Sequence, residues 1–403
     1  MASGVTNSAR SWGRIDGIDI LRGLAIFFVL MNHVNMRLLI AKVPYTRGIP
    51  QQVVHALVWN GQLGVQMFFV VSGFLITSIT LRRWGSLSAV NIRDFYLLRV
   101  ARIAPLLLAL LATLSLLHFA RLPNFVVSAK TGGLGGALFA ALTFHVNVLE
   151  ASRGYLPGSW DVLWSLSVEE TFYLFFPVLA RLLGRGKVFI GMLIAFAILG
   201  PFGRTVLAHG NPTWRAYSYL GGMDAIALGC LTALLVSRTS LPKTALRLCA
   251  GAGISLLVLV LCFSAQRFMW ALYRKGLEET ILAVGTCLVI IAAAQTQWRS
   301  PRIFAPLLLI GQRSYEIYLT HMFVVFALFD TFVALHKRMR LVPVLFIATI
   351  LIAALLGELV ARFYSEPMNR SLRKRWGEGA NRLGSVVEAE TAQMEIPAVQ
   401  LRD

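Results

Sequence analysis

Arg22 and His33 stand eleven residues apart in a run that is otherwise apolar from Ile18 to Val34 apart from Asp19 and Asn32. At about 100° per residue a step of eleven returns to the same helix face, some 16 Å further along it. A guanidinium and an imidazole on one face at membrane depth are costly, and so point to chemistry. The alternative is that Arg22 snorkels to the cytoplasmic surface while His33 closes the other end of the helix. A second set of reactive groups lies in Trp164-Ser165-Leu166-Ser167-Val168-Glu169-Glu170-Thr171-Phe172-Tyr173. Two carboxylates in so apolar a stretch do not read as a solvated face. Adjacent positions point about 100° apart, so one of the two is expected to face a site, and Glu169 shares its face with Ser165 and Tyr173. Arg99 and Arg102, three apart before Pro105, form a guanidinium pair where the chain enters the membrane. That geometry suits phosphate, and equally suits anchoring against lipid headgroups. Near the C-terminal end, Ser314, Tyr318 and His321 recur at helical spacing, which makes either a site stripe or a hydrogen-bond network between helices.

The elements that must position these groups are transmembrane helices. Of 403 residues 57% are hydrophobic and only 14% charged, against roughly 25% charged in soluble domains. Apolar runs at about 18–40, 62–81, 103–120, 161–181, 188–207, 218–237, 247–266, 278–296, 304–333 and 341–362 predict an all-α polytopic transmembrane bundle of about ten spans. The first run lacks a small-residue cleavage site and reads as a retained helix. An eleventh segment, 135–149, is short, flanked by glycine and interrupted by His145 and Asn147; it is expected to be buried or re-entrant. With that segment not crossing, Lys and Arg concentrate in alternate connections and in the tail, which places both termini in the cytoplasm. Residues 1–17 then form a cytoplasmic segment, 18–369 the membrane domain and 370–403 a polar cytoplasmic tail. Gly64–Ile76 carries Ser72-Gly73, read as a point of tight helix packing. The net charge of +19 follows from this distribution, and no zinc-finger or aromatic RNA-binding pattern accompanies it, so nucleic acid is not an expected partner. Cys230, Cys249, Cys262 and Cys287 show no CxxC spacing and are expected as packing residues, without a metal site.

Taken together, Arg22-x10-His33, FFVVSGFLI, Arg99-Val-Ala-Arg102-Ile-Ala-Pro105, WSLSVEETFY, SYEIYLTH and Glu366-Pro367 resemble, in order, the motifs of the membrane acyltransferase-3 family. The resemblance covers about residues 15–370. It implies an inner (plasma) membrane O-acyltransferase that moves an acyl group, commonly acetyl, from acyl-CoA to a hydroxyl. The acceptor would be a glycan, a lipid-linked saccharide or a small natural product, with membrane lipids as neighbours. His33 would inherit the catalytic histidine and Glu169 the preferred acid of the pair. Arg22, Arg99, Arg102, Ser314, Tyr315 and His321 would hold substrates. The reading expects this chain to depart from members that carry a fused extracytoplasmic hydrolase-like domain, which leaves open a separate partner. An ion-coupled secondary transporter is the rival reading, because buried Arg, Glu and His suit that work too.

Overall fold

The computed structural model describes residues 14–264 and 266–376. Among them every regular element is helical. The expectations for 1–13 and for the tail beyond 376 fall outside the described residues.

Helix α1 (Asp16–Ile40) is followed by the short α2 (Gln51–Val58), then by α3 (Gly61–Trp84) and α4 (Ile92–Phe119). Three short helices, α5 (Gly133–Leu142), α6 (Val146–Arg153) and α7 (Gly158–Asp161), lead into α8 (Leu163–Leu183). Next come α9 (Lys187–Thr205), α10 (Pro212–Tyr217), α11 (Tyr219–Arg238), α12 (Lys243–Phe263), α13 (Arg267–Arg274) and α14 (Glu278–Thr296). The chain closes with α15 (Ala305–Gln312), α16 (Ser314–Ala334) and α17 (Val342–Val360). Ten helical segments among the described residues are long and apolar enough to cross a membrane.

Close backbone approach holds the centre together. A Cβ on Gly73 of α3 would lie 1.9 Å from the carbonyl oxygen of Ile226 in α11, so only glycine lets these two helices touch there. The packing expected at Ser72-Gly73 is therefore present. Likewise a Cβ on Gly311 of α15 would lie 1.7 Å from the carbonyl oxygen of Asp19 in α1.

Two expectations change, and the non-crossing expected of 135–149 is kept. The run 304–333 is not one span: it breaks at Arg313, and α15 stays a short helix against α1. The break is fixed by Arg313, whose guanidinium is drawn to Glu358, 2.5 Å away, and to Glu366. The run at 103–120 begins eleven residues earlier, at Ile92, because the polar first turns of α4 are helical too. Asn91 caps them by accepting from the Asp94 N–H at 3.1 Å. The segment 135–149 forms α5 and α6, which are too short to cross, with Phe144 between them in the left-handed region at φ 57°. Beyond α17 the helix widens into a π turn over Ala361–Ser365, where Pro367 has no N–H to give to the carbonyl of Phe363.

Candidate active site

α1 and α16 run side by side and bring His33 and His321 together, ring centroids 5.0 Å apart. His321 is fully buried. Its Nδ1 faces the carbonyl oxygens of Tyr318 at 2.7 Å and Ile317 at 3.2 Å, and since carbonyls only accept, Nδ1 must carry the proton. The lone pair is then on Nε2, which is buried and has no hydrogen-bond partner among the described residues. His33 is half-buried, so its ring can reach a substrate that His321 cannot meet from solvent.

Tyr318 links this pair to α8. Its ring lies 5.8 Å from His321, while its hydroxyl donates to the carbonyl of Val162 at 3.0 Å and meets Ser165 Oγ at 2.6 Å. One helical turn along α8 from Ser165, Glu169 Oε1 gathers the hydroxyls of Ser72 and Tyr173 and the Arg99 guanidinium at 3.3 Å. Glu170, pointing elsewhere and buried, is the main partner of Arg99, at 2.7 and 3.4 Å. The Arg99 guanidinium also lies 3.3 Å from the centre of the Tyr173 ring.

The expected site residues thus fall into two groups. His33, His321, Tyr318 and Ser165 form one, and Glu169, Glu170, Arg99, Tyr173 and Ser72 form the other, joined by consecutive turns of α8. Glu169 faces the arginine, and no contact with His33 is made. Arg99 and Arg102 do not act as one fork. Arg99 is turned onto the carboxylates, whereas Arg102 is exposed, 5.9 Å from the Tyr315 ring and within electrostatic reach of Arg22. Arg22 is partly buried and pairs with Asp19 at 3.5 Å, and Asp19 in turn holds Arg14. Tyr315 donates to the carbonyl of Ile103 at 3.0 Å beside Pro105. Ser314 is buried at the start of α16, two turns from His321. Glu366, just before Pro367, pairs with Arg313.

The sequence reading missed two charged sites. Arg204 is 1% exposed and held by Asp224 at 2.8 Å, by Glu279 at 3.5 Å and by the Gly276 carbonyl, tying α9, α11 and α14 together. Glu150 and Asp161 lie at the other end of α1 from Arg22, where Arg37 stands; a tetrad spacing from Asp161 to Ser165 was the available signal. The cysteines are free, Cys230 and Cys287 buried in the core. A cavity of about 100 Å³ between α8 and α9, lined by Phe172, Phe176, Phe189 and Met223, includes none of these polar residues.

A bundle of apolar helices that brings together a histidine pair and an arginine–carboxylate cluster defines a multi-pass membrane protein with ionisable groups between its helices. Residues 15–358 match the acyltransferase domain of the acyltransferase-3 family, and the chain belongs to that family. It is similar to the O-acetyltransferase OatA of Staphylococcus aureus, 24% identical over 378 residues that cover 88% of this chain and 57% of that protein. It is also similar to the peptidoglycan O-acetyltransferase OatA of Listeria monocytogenes, 26% identical over 329 residues, 76% of this chain and 49% of that one. A putative O-acetyltransferase of Staphylococcus aureus is 25% identical over 376 residues, 88% of this chain and 57% of that one. The chain spans about half the length of these curated relatives. No solved structure matches. The chain thus carries the acyltransferase domain of this family on, among the described residues, ten helical segments long and apolar enough to cross a membrane.

Proposed function

We propose that the protein is an O-acetyltransferase that moves an acetyl group from acetyl-CoA to a hydroxyl of a carbohydrate acceptor, with His33 as general base. The observation that carries this reading is the His33–His321 pair: a half-buried imidazole backed by a second one whose tautomer two backbone carbonyls fix. His33 takes the acceptor's hydroxyl proton as that oxygen attacks the thioester carbonyl. The C–O bond forms, the C–S bond breaks, and the imidazolium returns the proton to the departing thiolate, giving ester and free thiol. An acetyl-His33 intermediate would use the same residues in two steps.

Arg102 and Arg22, at the end of the bundle where α1 begins, would meet the donor's phosphates, because guanidinium forks bind phosphate oxygens two at a time. Basic residues on alternate connections support a cytoplasmic position for that end and for both termini. The relatives' names support acetyl as the group moved and peptidoglycan-like saccharide as the acceptor class.

The test is radiolabelled acetyl-CoA with purified protein and saccharide acceptors, read as labelled ester. His33→Ala at a matched folded level should lower product formation by at least about 10²-fold. Near-normal turnover by a well-inserted His33→Ala protein removes His33 from the chemistry, and no labelled product with any donor leaves the transporter reading.

A further inference from the structure

Glu150 sits in α6, outside the membrane-crossing helices, and is only 1% exposed. Its Oε1 accepts from the Leu156 N–H at 3.0 Å, but Oε2 is buried without a donor. The charged group that acts on this buried carboxyl is another carboxyl, that of Asp161 at the end of α7. Asp161 Oδ1 accepts from the Tyr217 hydroxyl at 3.2 Å, and Tyr217 stacks flat on Trp164, ring centres 4.1 Å apart. Two interacting carboxylates of which one is fully buried do not both stay ionised. A proton on Glu150 Oε2 resolves both problems, turning the orphan oxygen into a donor to Asp161.

We propose that Glu150 and Asp161 hold one proton between them, and that the single negative charge left on the pair is set against Arg37 as a positioning charge for the proton step at His33. This rests on the reading of His33 as base. Burial, with the neighbouring Asp161, drives the Glu150 carboxyl well above the usual carboxylate range, in keeping with the geometry.

Arg37 follows His33 by one turn on α1, so its cation opposes the imidazolium that forms when His33 takes a proton. Arg37 stacks on Phe326 at 4.3 Å and donates to Asn124 at 3.4 Å. Among the described residues it makes no contact ion pair, and two carboxylates face it from a distance, Asp330 of α16 and Asp161. Asp330 is exposed and its field is screened by water, whereas Asp161 acts through protein. The groups around the arrangement are then accounted for: His321 and Arg37 at His33, Asp161 and Asp330 at Arg37, Glu150, Tyr217 and Arg37 at Asp161, and Tyr318 within reach of both carboxyls. Asp161 also precedes Ser165 by one turn, on the face that leads through Tyr318 to the histidines.

Two measurements on the full chain in nanodiscs test this. Infrared spectroscopy at neutral pH should show the carbonyl stretch of a protonated buried carboxyl, and Glu150→Gln should remove it. The same spectrum from wild type and Glu150→Gln overturns the shared proton, and does so whether or not the protein proves to use acetyl-CoA. The second is the pH–rate profile of acetyl transfer. Asp161→Asn leaves Arg37 unbalanced and should move the acid limb to lower pH by about one unit. Arg37→Gln should move it the other way, and the double variant should return it close to wild type. Single variants that shift the limb in the same direction, or only reduce the amount of folded protein, overturn the charge balance. If wild type makes no ester while the Glu150 band is present, the acyltransfer reading fails and the shared proton stands.

Discussion

Glu169 and Glu170 are neighbours in sequence with unlike surroundings, and the amide substitutions should separate their roles. Glu170→Gln removes the charge that Arg99 grips at 2.7 and 3.4 Å, in a side chain that is 8% exposed. Breaking a buried pair outright costs about 3–5 kcal/mol. Here the glutamine oxygen still accepts one guanidinium hydrogen bond and Glu169 remains 3.3 Å from Arg99, so about 2 kcal/mol is the expected loss. Glu169 is 25% exposed and its pair with Arg99 is long, so Glu169→Gln should cost about 1 kcal/mol or less in stability. Its charge, however, stands one turn from the Ser165–Tyr318 contact that leads to His321. Losing about 1.4–2.7 kcal/mol of transition-state stabilisation there lowers turnover about 10- to 100-fold. The assay is thermal unfolding in detergent beside labelled-ester formation, both normalised to folded protein. A stable but inactive Glu170→Gln protein, with Glu169→Gln active, would show that the wrong carboxylate has been placed on the working face.

The two arginines should also part. Arg102→Ala is expected to weaken acetyl-CoA binding with little loss of stability, and Arg99→Ala to lower stability first; binding by calorimetry and melting curves read the two, and equal donor affinity in Arg102→Ala would make it a topology anchor. Gly311→Ala places a Cβ 1.7 Å from the Asp19 carbonyl, a backbone atom that cannot swing aside, and should cost about 3 kcal/mol; an unchanged melting temperature would refute the close approach of α15 to α1. Glu150 is held protonated in the fold and ionises in the unfolded chain, so the fold binds more protons above the ordinary carboxylate range, and stability should fall as pH rises. Glu150→Gln should flatten that slope, by up to about 1.4 kcal/mol per pH unit, and identical slopes in melting curves across pH would count against a protonated Glu150.

Hydropathy made most of the bundle legible, because a chain in lipid must satisfy its backbone within helices and so writes each span as one apolar run. The same signal failed where an apolar run is not a span. Residues 304–333 are apolar nearly throughout, and nothing in that pattern says that Gly311 must touch the backbone of Asp19 or that Arg313 must turn toward Glu358 and Glu366. It failed again at α4, where Arg93, Asp94 and Arg99 hide two helical turns that the ion pair to Glu170 draws into the bundle.

For the site, helical periodicity gave faces without saying which helices they turn toward. The spacing of Arg22 from His33 and of Ser165 from Glu169 follows from 3.6 residues per turn, and the structure keeps both. The same arithmetic cannot tell that Ser165 meets Tyr318, or that Arg99 leaves Arg102 to join the carboxylates, because those contacts depend on the rotation of α8 against α16 and α4. Glu150 and Asp161 were hidden for a further reason. They meet only because α5 and α6 fold back without crossing, so residues on either side of Gly154, at φ 96°, come to share one buried space. A non-crossing segment escapes the lipid constraint that makes spans readable, and it can therefore bring polar side chains to the end of the bundle beyond His33. In this protein the apolar helices fix where the imidazoles stand and carry Arg37 beside them, and the short helices between α4 and α8 bring Glu150 and Asp161 toward that end of the bundle.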